Sequence, residues 1–233
     1  MVGFNLNYLI FMLPGLILSL WAQAKVQGAY RKWGQVRNYS NLTGMDTAEQ
    51  LLPRIGLSDV SLARTRGTLS DFYDPGKNTL NLSQGVADQP SVAAMAVTAH
   101  ELGHALQKKE GYALMRVRSA IVPVVNLGSS LGIILILIGL VLSFTPLAYA
   151  GLVLFGTTTV FSLVTLPVEL NASERARAML AENGLVANDQ ERQGVDQVLS
   201  AAAWTYVAGL ATSILQLLYF VSLVGGGSRR RRF

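Results

Sequence analysis

Ser119 to Leu166, SAIVPVVNLGSSLGIILILIGLVLSFTPLAYAGLVLFGTTTVFSLVTL, contains no aspartate, glutamate, lysine or arginine. Thr145-Pro146 divides it into two apolar runs, Ser119 to Leu142 and Leu147 to Leu166. Each is long enough for a helix that crosses a bilayer, which takes about 20 residues. The link between them is uncharged and basic residues flank both outer ends, so the stretch reads as a helical hairpin that dips through a membrane and returns to the cytoplasm. The alternative is a pair of core helices in a soluble protein, and the full spanning length of both runs argues against it.

The rest of the chain agrees. Its 233 residues allow one ordinary domain, or a small domain with membrane spans. A composition of 51% hydrophobic and 14% charged residues, with a mean hydropathy of +0.37, is too apolar for a plain soluble domain. Phe4 to Trp21 is a further uncharged run without the positive start or small-residue cleavage site of a secretory signal, so it reads as a retained anchor. Lys25, Arg31, Lys32 and Arg37 follow it, which places the N-terminus outside and the segment after Trp21 in the cytoplasm. Ala201 to Val224 is the last long apolar helix. If it crosses, Arg229 to Arg232 land outside, against the charge rule; crossing is nevertheless the reading favoured here. The net charge of +5 suits an anionic membrane face, and no nucleic-acid fold signature accompanies it, so nucleic acid is not an expected partner.

On the N-terminal side of the hairpin stands Thr98–Gln107, TAHELGHALQ, in a helix expected to start near Ser91, after Pro90, and to stop near Gly111. His100 and His104, four residues apart, share one helix face and can point a nitrogen each at one metal ion. Glu101, between them, sits beside that ion without having to bind it, as a base for a metal-activated water requires. These are the two histidines of the chain, and cysteine is absent, so any zinc is held by nitrogen and oxygen.

A catalytic zinc usually takes three protein ligands, and the third must here be a carboxylate. Asp71 and Asp74 lie in a turn-rich region as suited to substrate contact as to ligation. Glu110 is on the wrong part of its helix, and Glu174, Glu182 and Glu191 sit among solvated charges. Glu169, on the C-terminal side of the hairpin, ends an apolar run just after Pro167-Val168, where an unpaired charge is costly. Two readings stay open for it: a metal ligand, or a first-turn glutamate that complements its helix dipole.

Between anchor and metal helix, Thr47 to Ile55 predicts a short helix capped by Asp46 or Thr47. Val60 to Leu69 predicts a strand, Asp74-Pro75-Gly76-Lys77-Asn78 a turn, and Thr79 to Ser83 a second, half-buried strand, giving a small antiparallel hairpin or sheet. Gly103 leaves room between the histidines for a neighbouring helix. Val168 to Asn183 reads as its own helix, with Gly184 as its stop.

HELGHALQ, followed by two spans and LPVELNASERA, with SDFYDPGKNTLNLS upstream, resembles the neutral zinc metallopeptidases of bacterial membranes through most of the chain. That family is similar in layout to the gluzincin membrane proteases, with their HExxH helix and downstream glutamate helix. The resemblance implies one Zn2+ per chain at His100, His104 and Glu169, with Glu101 as general base. In many gluzincins an aspartate four residues after the ligand glutamate steadies a histidine; here Ser173 holds that place as a candidate supporting residue.

The expectation is therefore a mainly α integral membrane protein with about four transmembrane helices and a small zincin-like α+β catalytic domain on the cytoplasmic side of a bacterial inner membrane. Its segments are an anchor (4–22), the zincin-like segment (23–118), the hairpin (119–166), the third-ligand helix and polar segment (167–200), a C-terminal span (201–224) and a basic tail (225–233). The expected activity is hydrolysis of a peptide or membrane-protein substrate. Tyr73, Tyr112, Arg175 and Asn81 are candidate oxyanion or substrate contacts, and Thr79–Ser83 a candidate edge for an extended peptide. Oligomeric state stays open. The competing readings are a zinc-stabilised scaffold or adaptor without activity, and a transporter or channel subunit. The second expects ionisable residues within the spans, and essentially none precede Glu169.

Overall fold

A computed structural model describes residues 6–229. Phe4, at the start of the expected anchor, and Arg230 to Arg232, in the expected basic tail, lie outside the described residues. In chain order the elements are α1 (Leu6–Gly34), α2 (Gly44–Arg54), β1 (Ser61–Thr65), β2 (Phe72–Asp74), β3 (Thr79–Ser83), α3 (Gln84–Ala87), α4 (Val92–Lys109), α5 (Ala113–Val141), α6 (Thr145–Glu182) and α7 (Asp189–Arg229). The chain is mainly helical, and α1, α5, α6 and α7 are each long and apolar enough to cross a membrane.

Two compact units divide the chain. The first takes residues up to Trp21, Arg116–Pro167 and the chain from Thr205 onward. Large apolar side chains face outward in it: Val141 is 82% exposed and Val153 73%. Burying them in hydrocarbon is worth about 25 cal/mol per Å2. Its helices approach through glycine. A Cβ on Gly139 would lie 2.5 Å from the Ala148 amide nitrogen, and one on Gly151 2.6 Å from the Gly132 carbonyl oxygen. Small residues at such crossings allow the van der Waals packing that joins helices where hydrophobic burial cannot.

The second unit takes Ala22–Met115 and Val168–Trp204. Its core runs from Trp33 and α2 through Leu80, Leu82 and the buried face of α4 to Leu180 and Leu199. α2 begins earlier than its apolar stripe suggests. Thr43 is the N-cap and Asp46 the third helical residue, each side chain accepting from the other's amide at 3.1 and 2.9 Å. Asp46 thus closes a capping box rather than acting as the cap.

The sheet has the order β1-β3-β2, with β1 parallel and β2 antiparallel to β3. The expected turn joins β2 to β3: Asp74 Oδ1 accepts from the amides of Gly76 (2.8 Å) and Lys77 (3.1 Å), and Asn78 takes a left-handed φ of 51°. Two expectations need correcting. The pairing is not purely antiparallel, since β1 runs alongside β3. And Thr79–Ser83 is not an edge: it is the central strand, paired along both sides, so an added peptide finds no free backbone there.

Helix α6 does not break at Pro167, although the apolar and polar parts read as separate helices; it is one 38-residue helix with the proline inside. Proline removes one amide donor from the ladder, a loss a long packed helix tolerates. α7 likewise joins the polar 189–200 stretch to the last apolar run. Glu191, expected among solvated charges, is 3% exposed. It accepts from the Tyr39 amide (2.5 Å) and the Ala187 amide (2.7 Å), while Asn188 Oδ1 caps the helix by accepting from the Glu191 amide at 2.9 Å.

Candidate metal centre

Helix α4 starts where Ser91 caps it, Oγ accepting from the Ala94 amide at 3.1 Å, and runs through both histidines to its end at Lys109. Gly103 lets α6 come close: a Cβ there would stand 2.6 Å from the Ala172 carbonyl oxygen. That approach brings Glu169 to the histidines. Its Oε2 lies 3.2 Å from His100 Nε2 and 3.4 Å from His104 Nε2, and one ligand atom from each of the three residues falls within 4.8 Å of the others. Glu169 is 2% exposed and His104 8%.

Each ring is held from its far side. Ser173 Oγ lies 3.1 Å from His100 Nδ1, and Gln107 Oε1 lies 3.0 Å from His104 Nδ1. Both Nε2 atoms are thereby left facing the carboxylate. Burial works against charge on His104, yet the adjacent Glu169 holds its pKa above the ordinary histidine value. Positive charge is therefore stabilised at the point where the three side chains meet.

These residues fit a zinc ion. Nitrogen and oxygen donors about 2.0–2.2 Å from a tetrahedral zinc stand roughly 3.3–3.5 Å from one another, close to the two separations seen here, and two histidines with one glutamate is a recurring catalytic donor set.

Glu101 is adjacent to His100 on α4, and its Oε2 accepts from the Tyr73 amide at 2.9 Å. Burial pushes its carboxyl pKa up, with the neighbouring histidines opposing the rise. The Tyr73 amide is therefore directed at Glu101 rather than at β3, so the side of β2 away from β3 faces this carboxylate.

The other candidates take up varied places. The Tyr73 hydroxyl donates to Asn78 Oδ1 at 2.5 Å. Arg175 donates through Nε to Asn171 Oδ1 (2.8 Å) and pairs with Glu110 (2.7 Å). The Tyr112 amide donates to the Gln107 carbonyl, closing the end of α4. Asn81 lies on the central strand, its amide donating to the Thr79 carbonyl at 3.2 Å. Asp71 accepts from the Ser83 amide and hydroxyl at 2.6 and 3.1 Å. Sequence reasoning assigned no role to Gln107 or Asn171. Their signal is positional: Gln107 follows His104 by three residues on the same face, and Asn171 precedes Arg175 by four.

Comparison with known sequences matches residues 8–225 to the model of a family described as "Putative neutral zinc metallopeptidase". The chain belongs to that family. Among curated relatives of this zinc metallopeptidase family member is "Putative membrane protease YugP" of Bacillus subtilis (strain 168). It is 41% identical over 220 residues, spanning 94% of this chain and 97% of the relative. No solved structure matches.

Proposed function

We propose that this member of the zinc metallopeptidase family is a membrane-embedded zinc-dependent metalloendopeptidase. The observation that carries the reading is the convergence of His100, His104 and Glu169 from two helices, with Glu101 beside them. One zinc ion per chain would be held by those three residues. When bound, it lowers the pKa of a water to about 7 and polarises the scissile carbonyl.

The chain's own residues supply the rest. Glu101, half-buried and aimed by the Tyr73 amide, takes the proton of the attacking water and delivers it to the leaving amine. Its raised pKa suits both halves of that transfer. Ser173 and Gln107 hold the histidine rings in orientation. An extended peptide laid along the side of β2 away from β3 would run past Glu101, with the Tyr73 amide already committed to that carboxylate. The substrate is a peptide or membrane protein, the setting a lipid bilayer, and the site faces the cytoplasm.

The test replaces Glu101 with glutamine and compares peptides released from membranes carrying each form by mass spectrometry. The expected result is a drop in turnover of roughly a hundred- to ten-thousandfold, with zinc content unchanged. Undiminished cleavage would sink the mechanism. Intact cellular function with no cleavage by either form would favour the scaffold.

A further inference from the structure

We propose that Gln107 is a positioning residue that fixes which nitrogen His104 offers to the metal, and that Asn171 and Arg175 in turn fix Gln107. The inference rests on the metal-site reading above and assigns roles to residues outside the ligand set.

The argument starts from Gln107, which is fully buried on α4. Its side-chain nitrogen faces the Val168 carbonyl oxygen at 2.8 Å and Asn171 Oδ1 at 2.9 Å. A backbone carbonyl accepts and never donates, so the end of the amide that faces it is the NH2 group. Asn171 leads to the same conclusion independently. Arg175 Nε, a donor with no acceptor capacity, points at Asn171 Oδ1 from 2.8 Å, so that atom is the oxygen and it too requires a donor from Gln107.

With the nitrogen end fixed twice, the oxygen end of Gln107 must face His104 Nδ1, at 3.0 Å. An amide oxygen accepts, so Nδ1 carries the proton. Nε2, the nitrogen 3.4 Å from Glu169, is therefore the one that can offer a lone pair to a metal ion. The chain of donors therefore runs in one direction, from the Arg175 guanidinium and the Gln107 NH2 into Asn171, and from His104 into Gln107. Arg175 is anchored at its other end by Glu110 at 2.7 Å.

The same amide also spans two elements. It ties the α4 histidine to the carbonyl immediately before Glu169 on α6, so one side chain sets both the tautomer of one ligand and the approach of another. Ser173 gives His100 no equivalent certainty, because a hydroxyl can donate as well as accept.

The experiment uses full-length protein in detergent, loaded with Zn2+. Because His100 and His104 are the two histidines of the chain, 15N-histidine labelling yields two imidazole spin systems. The expected spectrum shows His104 protonated at Nδ1 and metallated at Nε2; metallation at Nδ1 overturns the proposal using the unaltered protein. Zinc affinity is then measured by competition with a chelating dye. Gln107→Met is expected to weaken it about ten- to a hundredfold, the usual cost of losing a ligand's hydrogen-bond partner. Asn171→Asp keeps the acceptor for Arg175 and Gln107 and is expected to stay within about threefold of the parent, whereas Asn171→Leu removes it and is expected to weaken binding. If Gln107→Met does not fold, the Asn171 pair still decides: equal affinities for Asp and Leu overturn the proposal. If the unaltered protein binds no zinc, the metal-site reading itself fails, a result distinct from tight binding that Gln107→Met leaves unchanged.

Discussion

Glu169 and Glu191 are buried acids and Asp71 a half-buried one, and each is accommodated differently. Glu169 faces two imidazoles, Glu191 accepts from backbone amides, and Asp71 holds the amide and hydroxyl of Ser83. For Asp71 burial outweighs those hydrogen bonds and its pKa is raised. A carboxyl that binds its proton more tightly folded than unfolded adds stability at low pH and loses it as pH rises through the folded pKa. Asp71→Asn keeps an acceptor for the Ser83 amide and has no proton to bind. The expected outcome is that parent stability, relative to this variant, increases on acidification from neutral pH toward the ordinary aspartate range, as read by chemical unfolding in detergent. A constant difference across that range would remove the argument. At this scale the meeting of His100 and His104 was legible, because two histidines four residues apart share one helix face. Glu191 was not: its neighbours in sequence are polar, and the amides that neutralise it come from Tyr39 and Ala187.

Among elements, α4 and α6 matter most, and Gly103 is the point where they nearly touch. Alanine there gains about 1 kcal/mol of helix propensity, but its Cβ meets a backbone carbonyl that cannot rotate away, and overpacking of that kind costs roughly 1–3 kcal/mol. Gly103→Ala is expected to be destabilising on balance and to loosen zinc, because the helices part where Glu169 meets the histidines. Thermal unfolding with and without zinc measures both effects. A variant as stable as the parent and equally tight for zinc would mean that the close approach has slack. The start of α4 was legible from Pro90-Ser91 and the β2–β3 turn from Asp74 to Asn78. The continuity of α6 through Pro167 was not, since composition changes there while the helix does not. Nor was the central position of β3, because alternation reports which face is buried and says nothing about how many partners a strand has.

For the molecule as a whole, four crossings would return the chain to the side it started from. The polar unit carries Lys25, Arg31, Lys32, Arg175 and Arg177, while the α5–α6 turn carries no charge, so the positive-inside rule predicts that this turn faces outward. The chain has no cysteine, so single-cysteine variants report without background. A cysteine at Ser143 is expected to react with an impermeant maleimide in intact cells, and one at Thr68 only after permeabilisation. The reverse pattern would place the site on the outer face. The four candidate spans were legible because crossing a bilayer demands length and apolarity, both of which are plain in one dimension.

The third candidate ligand arrives late in the chain. Glu169 follows His100 by 69 positions, and the whole α5 span and most of the α6 span lie between them. If the proposed ligand set holds, a nascent polypeptide has its histidines well before it has the acid that completes the trio. Cleaving power would then be withheld until synthesis has passed the membrane hairpin, so a stalled or truncated product would be inert toward the translocation machinery around it.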